Sequence, residues 1–256
     1  AASDVYKRQN QGQGQEADFN NEAIWASGTF RTDYVWGIRS MADGKHYTTQ
    51  EYDENEGSCI VKWSYKTGKV VDTLLTSNMA FGDPRETFSG YEFSSDERFV
   101  VLTTASEGLY RHSFYANFFV YDFESDEDAR SITNFSLGKQ RLAQLSPAGD
   151  KVAFVRENNI FISDLATGAE IQVTTDGVTN AIINGATDWV YEEEFGDDQG
   201  LFWNGDGSRL AYLKFDESNV REFHMPVYGS LYPDPYTFKY PLSLIHISEP
   251  TRLHVI

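Results

Sequence analysis

The chain alternates short apolar runs with polar turns, and one unit recurs four times: a turn, an apolar strand, a second strand that pairs back, and a short hairpin. The turns are Ser40-Met41-Ala42-Asp43-Gly44-Lys45, Ser94-Ser95-Asp96-Glu97-Arg98, Ser146-Pro147-Ala148-Gly149-Asp150-Lys151 and Asn204-Gly205-Asp206-Gly207-Ser208-Arg209, with starts 54, 52 and 58 residues apart. Asp, Gly and Pro set each turn, and strands such as Val152-Ala153-Phe154-Val155 and Leu210-Ala211-Tyr212-Leu213 follow at once. In the third unit the returning strand is Asn159-Ile160-Phe161-Ile162-Ser163-Asp164-Leu165, closed by Ala166-Thr167-Gly168 before Glu170-Ile171-Gln172-Val173. In the first it is Ile60-Val61-Lys62-Trp63-Ser64-Tyr65, closed by Lys66-Thr67-Gly68. Roughly fifty residues per unit suits a propeller blade, and helical periodicity is nearly absent. The pattern predicts an all-β chain: a β-propeller fragment of about four blades with four-stranded antiparallel sheets. Four units make either the smallest closed ring or an open arc with two free sheet edges, and a β-sandwich is the competing fold.

The pattern holds over residues 21–241, which are read as a partial propeller. Residues 1–20 are read as a non-native and flexible lead-in, with AASDVYKRQ followed by the Gln/Gly-rich NQGQGQEADF. Residues 242–256, ending SLIHISEPTRLHVI, are read as a non-native tail, because neither end continues the interior pattern and both read as translated sequencing-adapter sequence. Gly12-Gln13-Gly14 lacks the preceding strand and following helix of a dinucleotide loop.

Charge narrows the possible partners. Lys and Arg number 21 against 39 Asp and Glu, a net charge of −18 over 256 residues, which repels phosphate backbones and anionic lipid and argues against nucleic-acid binding. Aromatic residues make up 15% of the chain, too many for a disordered acidic segment and well suited to packed strands. The lone Cys59 allows no internal disulfide and no cysteine-based zinc site, and reads as a core filler. No apolar run approaches the ~20 residues of a membrane span.

The densest polar cluster is Thr187-Asp188-Trp189-Val190-Tyr191-Glu192-Glu193-Glu194-Phe195. Neighbouring strand residues point to opposite faces, so three successive carboxylates converge only if the backbone leaves strand geometry for a turn or short helix. Crowded carboxylates repel, and a ligand ammonium or a metal would relieve them; a solvated acidic surface is the plainer alternative. Asn204-Gly205-Asp206-Gly207 lacks the spacing and final Glu of a calcium loop and reads as a turn. Asn134-Phe135-Ser136 is a glycosylation sequon short enough to arise by chance.

Asp188-Trp189-Val190-Tyr191-Glu192-Glu193-Glu194 resembles the signature of the dipeptidyl peptidase IV family, serine peptidases that remove an Xaa-Pro dipeptide from a free N-terminus. Carried over by motif, the resemblance implies that Glu193 and Glu194 bind the ammonium of the substrate. Tyr110-Arg111-His112-Ser113 is similar to a second family element and implies that Arg111 contacts substrate. A guanidinium suits that task, since its planar fork can hold a carboxylate and donate to a carbonyl; an arginine in an ordinary surface ion pair is the alternative. The likeness extends over Ile24-Trp25-Ala26-Ser27-Gly28-Thr29-Phe30, the strand at Leu210-Ala211-Tyr212 and Phe238-Lys239-Tyr240-Pro241, so about residues 22–241, and stops abruptly there.

Where the family continues into an α/β-hydrolase domain, this chain shows no G-x-S-x-G elbow, so no catalytic serine is assigned and the fragment alone is not expected to hydrolyse peptides. Among the histidines, His46 follows a turn, His112 sits in the arginine motif, His224 is read as a loop residue, and His246 and His254 lie in the tail; none has a catalytic partner in the sequence. The resemblance implies no metal and no organic cofactor, a peptide substrate with a free N-terminus, and work in the periplasm, at the cell surface or in secretion. The Pro- and Tyr-rich stretch 216–237 reads equally as a homodimer contact, as the resemblance implies, or as a plain connection. Two other readings stay open: a non-enzymatic propeller that binds a protein, and the propeller of a prolyl oligopeptidase-type endopeptidase, which needs no amine clamp.

Overall fold

The computed structural model describes residues 20–32, 36–240 and 250–256, with backbone alone at 250–253. Most of the lead-in, Pro241 and His246 lie outside the described residues. The chain divides into two units, Ala1–Ile38 and Arg39–Ile256. In the first, Glu22–Ala26 forms one π turn, with the Asn20 side chain accepting from Ala23 N at 2.8 Å.

The second unit is a series of antiparallel sheets. The first has the order β1 (Arg39–Ser40), β2 (His46–Asp53), β3 (Gly57–Ser64), β4 (Val70–Thr76), and a short helix α1 (Ser77–Phe81) leaves it. The second is β5 (Gly90–Phe93), β6 (Phe99–Gly108), β7 (Phe114–Asp122), β8 (Arg130–Ser131). The third is β9 (Arg141–Leu145), β10 (Lys151–Arg156), β11 (Asn159–Asp164), β12 (Glu170–Gln172). In the fourth, β13 (Ile182–Asn184) precedes a helix α2 (Trp189–Phe195), then β14 (Leu201–Trp203) and β15 (Leu210–Asp216). A separate hairpin, β16 (Glu222–Val227) with β17 (Asp234–Lys239), follows, so His224 is a strand residue rather than a loop residue.

Alternation along the strands explains how the sheets stack. In β10, Val152 and Phe154 face one way, into a cluster with Val101, Phe118 and Ile132 of the second sheet. Ala153 and Val155 face the other way, into a cluster with Leu201, Leu210 and Tyr212 of the fourth. The same alternation in β6 turns Val100 and Leu102 toward Ile60 and Leu75 of the first sheet. Strands buried on both faces are those of propeller blades, and the second and third sheets each pack face to face on two neighbours.

Each recurrent turn joins the innermost strand of its sheet to the second. Ser146 Oγ donates to Asp150 at 2.7 Å and accepts from Lys151 N at 3.1 Å. Gly44, Gly149 and Gly207 take the left-handed residue of three turns, and Glu97 takes it in the remaining one at φ 60°. The Glu97 carboxylate accepts from Ala42 N at 2.5 Å, tying the turns of the first two sheets together. Gly149 is doubly constrained: its φ is 70°, and a Cβ there would stand 2.5 Å from the Phe99 ring of the preceding sheet. Gly149→Ala should therefore destabilise the chain by about 2–4 kcal/mol, the left-handed penalty plus overpacking, read as a fall in the thermal midpoint.

Pro250–Val255, within the stretch that sequence reading sets apart as a tail, is a strand. That segment, β18, pairs antiparallel with β15, matching Ala211 to Val255 and Lys214 to Arg252. The physical reason is that an open strand edge needs only extended backbone to complete it, whatever side chains the partner carries. Among the described residues no helix is long and apolar enough to cross a membrane.

Candidate functional site

The site grows from a break in one strand. β13 and β14 pair with the same edge of β15, because Gly185 N donates to Leu213 O at 2.9 Å and Leu213 N donates to Gly200 O at 2.7 Å. Residues 186–199 leave the sheet between these two glycines. The neck is tight: a Cβ on Gly200 would meet the Gly185 backbone at 3.0 Å, and one on Gly185 would meet Ile160 at 2.8 Å. Within the excursion Asp188 caps α2 by accepting from Tyr191 N at 3.0 Å, and Gly196 ends it in the left-handed conformation. The ring of Tyr191 packs edge-on against Phe215 at 4.9 Å, which docks the helix on the sheet.

Helical geometry then separates the three carboxylates by about 100° each. Glu192 points inward and is 1% exposed, Glu193 points sideways, and Glu194 points to solvent. The turn or short helix expected from the crowded run takes the form of a helix, and its effect is to give neighbouring acids different surroundings rather than to bring all three together.

The β6–β7 hairpin of the second sheet supplies the facing group. Glu192 Oε1 accepts from His112 N at 2.6 Å and Ser113 N at 2.8 Å, fixing the tip of that loop against α2. Arg111 lies on the same tip, and its Nε donates to both Glu193 oxygens, at 3.1 and 2.9 Å. The side chains are 69% exposed for Arg111 and 16% for Glu193, so the pair orients these groups more than it stabilises the fold. Of the three residues singled out by sequence, Arg111 and Glu193 meet directly. Glu194 stands next along the helix and makes no ion pair among the described residues.

A cavity of about 580 Å³ opens beside this pair, walled by Trp189, Phe223, Met225, Tyr236, Phe238 and Tyr240. Trp189 and Tyr240 pack with ring centres 4.4 Å apart, and Phe238 joins Tyr236 at 5.4 Å. Burial pushes the phenols of Tyr110 and Tyr236 up, so both stay neutral donors. Beneath the site, burial first and the neighbouring Asp188 second push the Glu217 carboxyl up to about 7, against the opposing pull of Lys239 and Arg141.

Sequence reasoning missed Glu192 as an anchor, the cap Asp188, and the hairpin aromatics as walls of the cavity. A helical reading of the run, with a cap at Asp188 and an inward residue one turn later, could have marked Glu192. The Pro- and Tyr-rich stretch marked the hairpin, but nothing local placed it beside the acidic run, since its aromatics reach the site only through the tertiary fold.

Stacked four-stranded sheets with a helical excursion in one inner strand define a β-propeller segment carrying an acidic site. Residues 94–244 match the model of the dipeptidyl peptidase IV (DPP IV) N-terminal region. The chain is 38% identical over 211 residues to a probable dipeptidyl peptidase 4 of Aspergillus fumigatus, covering 80% of this chain and 26% of that protein. It is 31% identical over 217 residues to prolyl endopeptidase FAP of Homo sapiens, covering 84% of this chain and 27% of that one. The crystal structure of Porphyromonas gingivalis dipeptidyl peptidase 4 superposes with a TM-score of 0.78 at 40% identity, over 94% of this chain and 33% of that one. The chain belongs to the dipeptidyl peptidase IV family, to its N-terminal region. It spans about a quarter of the length of the curated relatives it matches.

Proposed function

We propose that this chain is the substrate-gating, N-terminus-recognising propeller part of a dipeptidyl peptidase IV-like serine peptidase that releases Xaa-Pro dipeptides. The hydrolase domain that would supply the nucleophile is found in the remainder of such a protein. The observation that carries the reading is the Arg111–Glu193 contact across two sheets, beside an uncommitted Glu194 and an aromatic-walled cavity.

The chemistry follows from the donor count. A free α-amine has a pKa of about 7.7–8.0, is largely protonated at neutral pH and offers three N–H donors. Glu193 keeps lone pairs beyond those Arg111 uses, and Glu194 adds a second carboxylate. Arg111 engages only its Nε with Glu193, which leaves its terminal N–H groups to donate to a peptide carbonyl. Fixing the amine measures the distance to the scissile bond, so the clamp acts as a ruler that selects the second peptide bond. The exposed Tyr228, Leu231 and Tyr232 at the hairpin tip suit packing against a second copy. Such a parent would act in the periplasm, at a cell surface or in secretion.

The reading is tested by titrating this chain with Ala-Pro-Ala and with its N-acetylated form, followed by amide NMR shifts. The free-amine peptide should bind at least about tenfold more tightly, because acetylation removes the ionic hydrogen bonds. Equal binding would favour the endopeptidase reading, in which no terminal amine is sought.

A further inference from the structure

A second cavity, of about 590 Å³, is lined by Arg39, Ser113, Arg111 and Arg141 together with Glu92 and Asp198. It is distinct from the aromatic-walled one, and Arg111 lines both. Arg141, on the innermost strand β9, is 4% exposed. Its buried Nη2 has no hydrogen-bond partner, and among the described residues its guanidinium forms no ion pair. Ser113 Oγ, lining the same cavity, is likewise buried and unpartnered. A guanidinium has five donors and no acceptor, and burying it uncompensated is costly, so such a group calls for an anion.

Neither Glu217 nor Glu92 meets that need. Glu217, whose field reaches Arg141, forms no ion pair with it and is pushed up to about 7 by burial. Burial also pushes the Glu92 carboxyl up. Arg39 sits over the Tyr91 ring at 4.3 Å and adds a second cation to the wall. In a chain of net charge −18, a cavity that gathers Arg39, Arg111 and Arg141 against Glu92 and Asp198 runs against the bulk.

We propose that Arg141 and Ser113, supported by Arg39, form an oxyanion site that takes a carboxylate- or phosphate-type group in a forked hydrogen bond. The volume admits more than a lone ion, which suits the carboxylate of a bound peptide, and a free inorganic anion offers the same chemistry. Arg111 lines this cavity as well, but the proposed site uses Arg141 and Ser113 and neither Glu193 nor Glu194, so it stands apart from the amine-recognition reading.

The test uses the full 256-residue chain and inorganic phosphate at constant ionic strength. About 100 mM phosphate should raise the thermal midpoint of the wild type by about 5 °C more than that of Arg141→Met, and Arg141→Lys should fall between them. Comparing variants cancels the general salting effect of phosphate. Equal shifts in wild type and Arg141→Met overturn the proposal. If neither variant folds, the wild type decides by NMR: phosphate-induced shifts of the Ser113 and Leu142 amides support the site, and their absence overturns it. Replacing phosphate by the C-terminal amides of Ala-Pro-Glu and Ala-Pro-Gln, which differ only in the side-chain carboxylate, distinguishes the sources. A midpoint difference between those peptides that is lost in Arg141→Met assigns the site to peptide carboxylates, and a response to phosphate alone assigns it to free anions.

Discussion

Under the proposed function, replacing both Glu193 and Glu194 with Gln in a longer protein that also carries a hydrolase domain should lower kcat/KM on an Xaa-Pro substrate about 10²–10³-fold. Each ammonium–carboxylate hydrogen bond contributes about 1.5–3 kcal/mol, and a neutral amide keeps only part of that. Losing about 3–4 kcal/mol converts to two or three decades at roughly 1.4 kcal/mol per decade. Glu194→Gln alone should cost less, because Glu193 is still held in place by Arg111. If the amine serves as a ruler, kcat falls along with the rise in KM, since a displaced substrate presents the wrong bond. Activity within about a factor of two of wild type would remove the proposed role.

The second large effect concerns Glu192. Glu192→Ala should destabilise this chain by about 3–5 kcal/mol, because two backbone N–H groups, His112 and Ser113, lose a charged acceptor at a buried position. Urea unfolding would show this as a lower midpoint at unchanged slope. Glu192→Gln should lose about half as much, as its amide oxygen can still accept. Glu192→Ala also frees the Arg111 loop, so peptide binding should weaken even under conditions where that variant stays folded. A stability change below about 1 kcal/mol would mean that the loop tip finds other acceptors.

Much of the fold was readable because turn chemistry is local. Ser146, Asp150 and Gly149 form their turn from side chains within five residues of one another, and the strand after it alternates between two cores. The innermost strands were not readable: Arg39–Ser40 is two residues long, and the innermost strand of the fourth sheet is split by a helix. Pairing by Pro250–Val255 rests chiefly on backbone hydrogen bonds that any extended segment can make, so composition does not reveal it.

The site divides along the same line. Residue type and motif pointed to Glu193, Glu194 and Arg111, whereas the anchor Glu192 meets partners about eighty positions away and no local pattern encodes that contact. Arg141 carried no motif. Its meaning comes from burial without a partner, a property of the packed structure.

Amine recognition by the acid pair is tested most directly by one comparison: the affinity of this chain for free and for N-acetylated Ala-Pro-Ala, measured in the wild type and in the Glu193→Gln, Glu194→Gln double variant. The wild type should prefer the free amine at least about tenfold, and the preference should collapse below about twofold in the variant. A preference that survives the loss of both carboxylates would contradict that recognition.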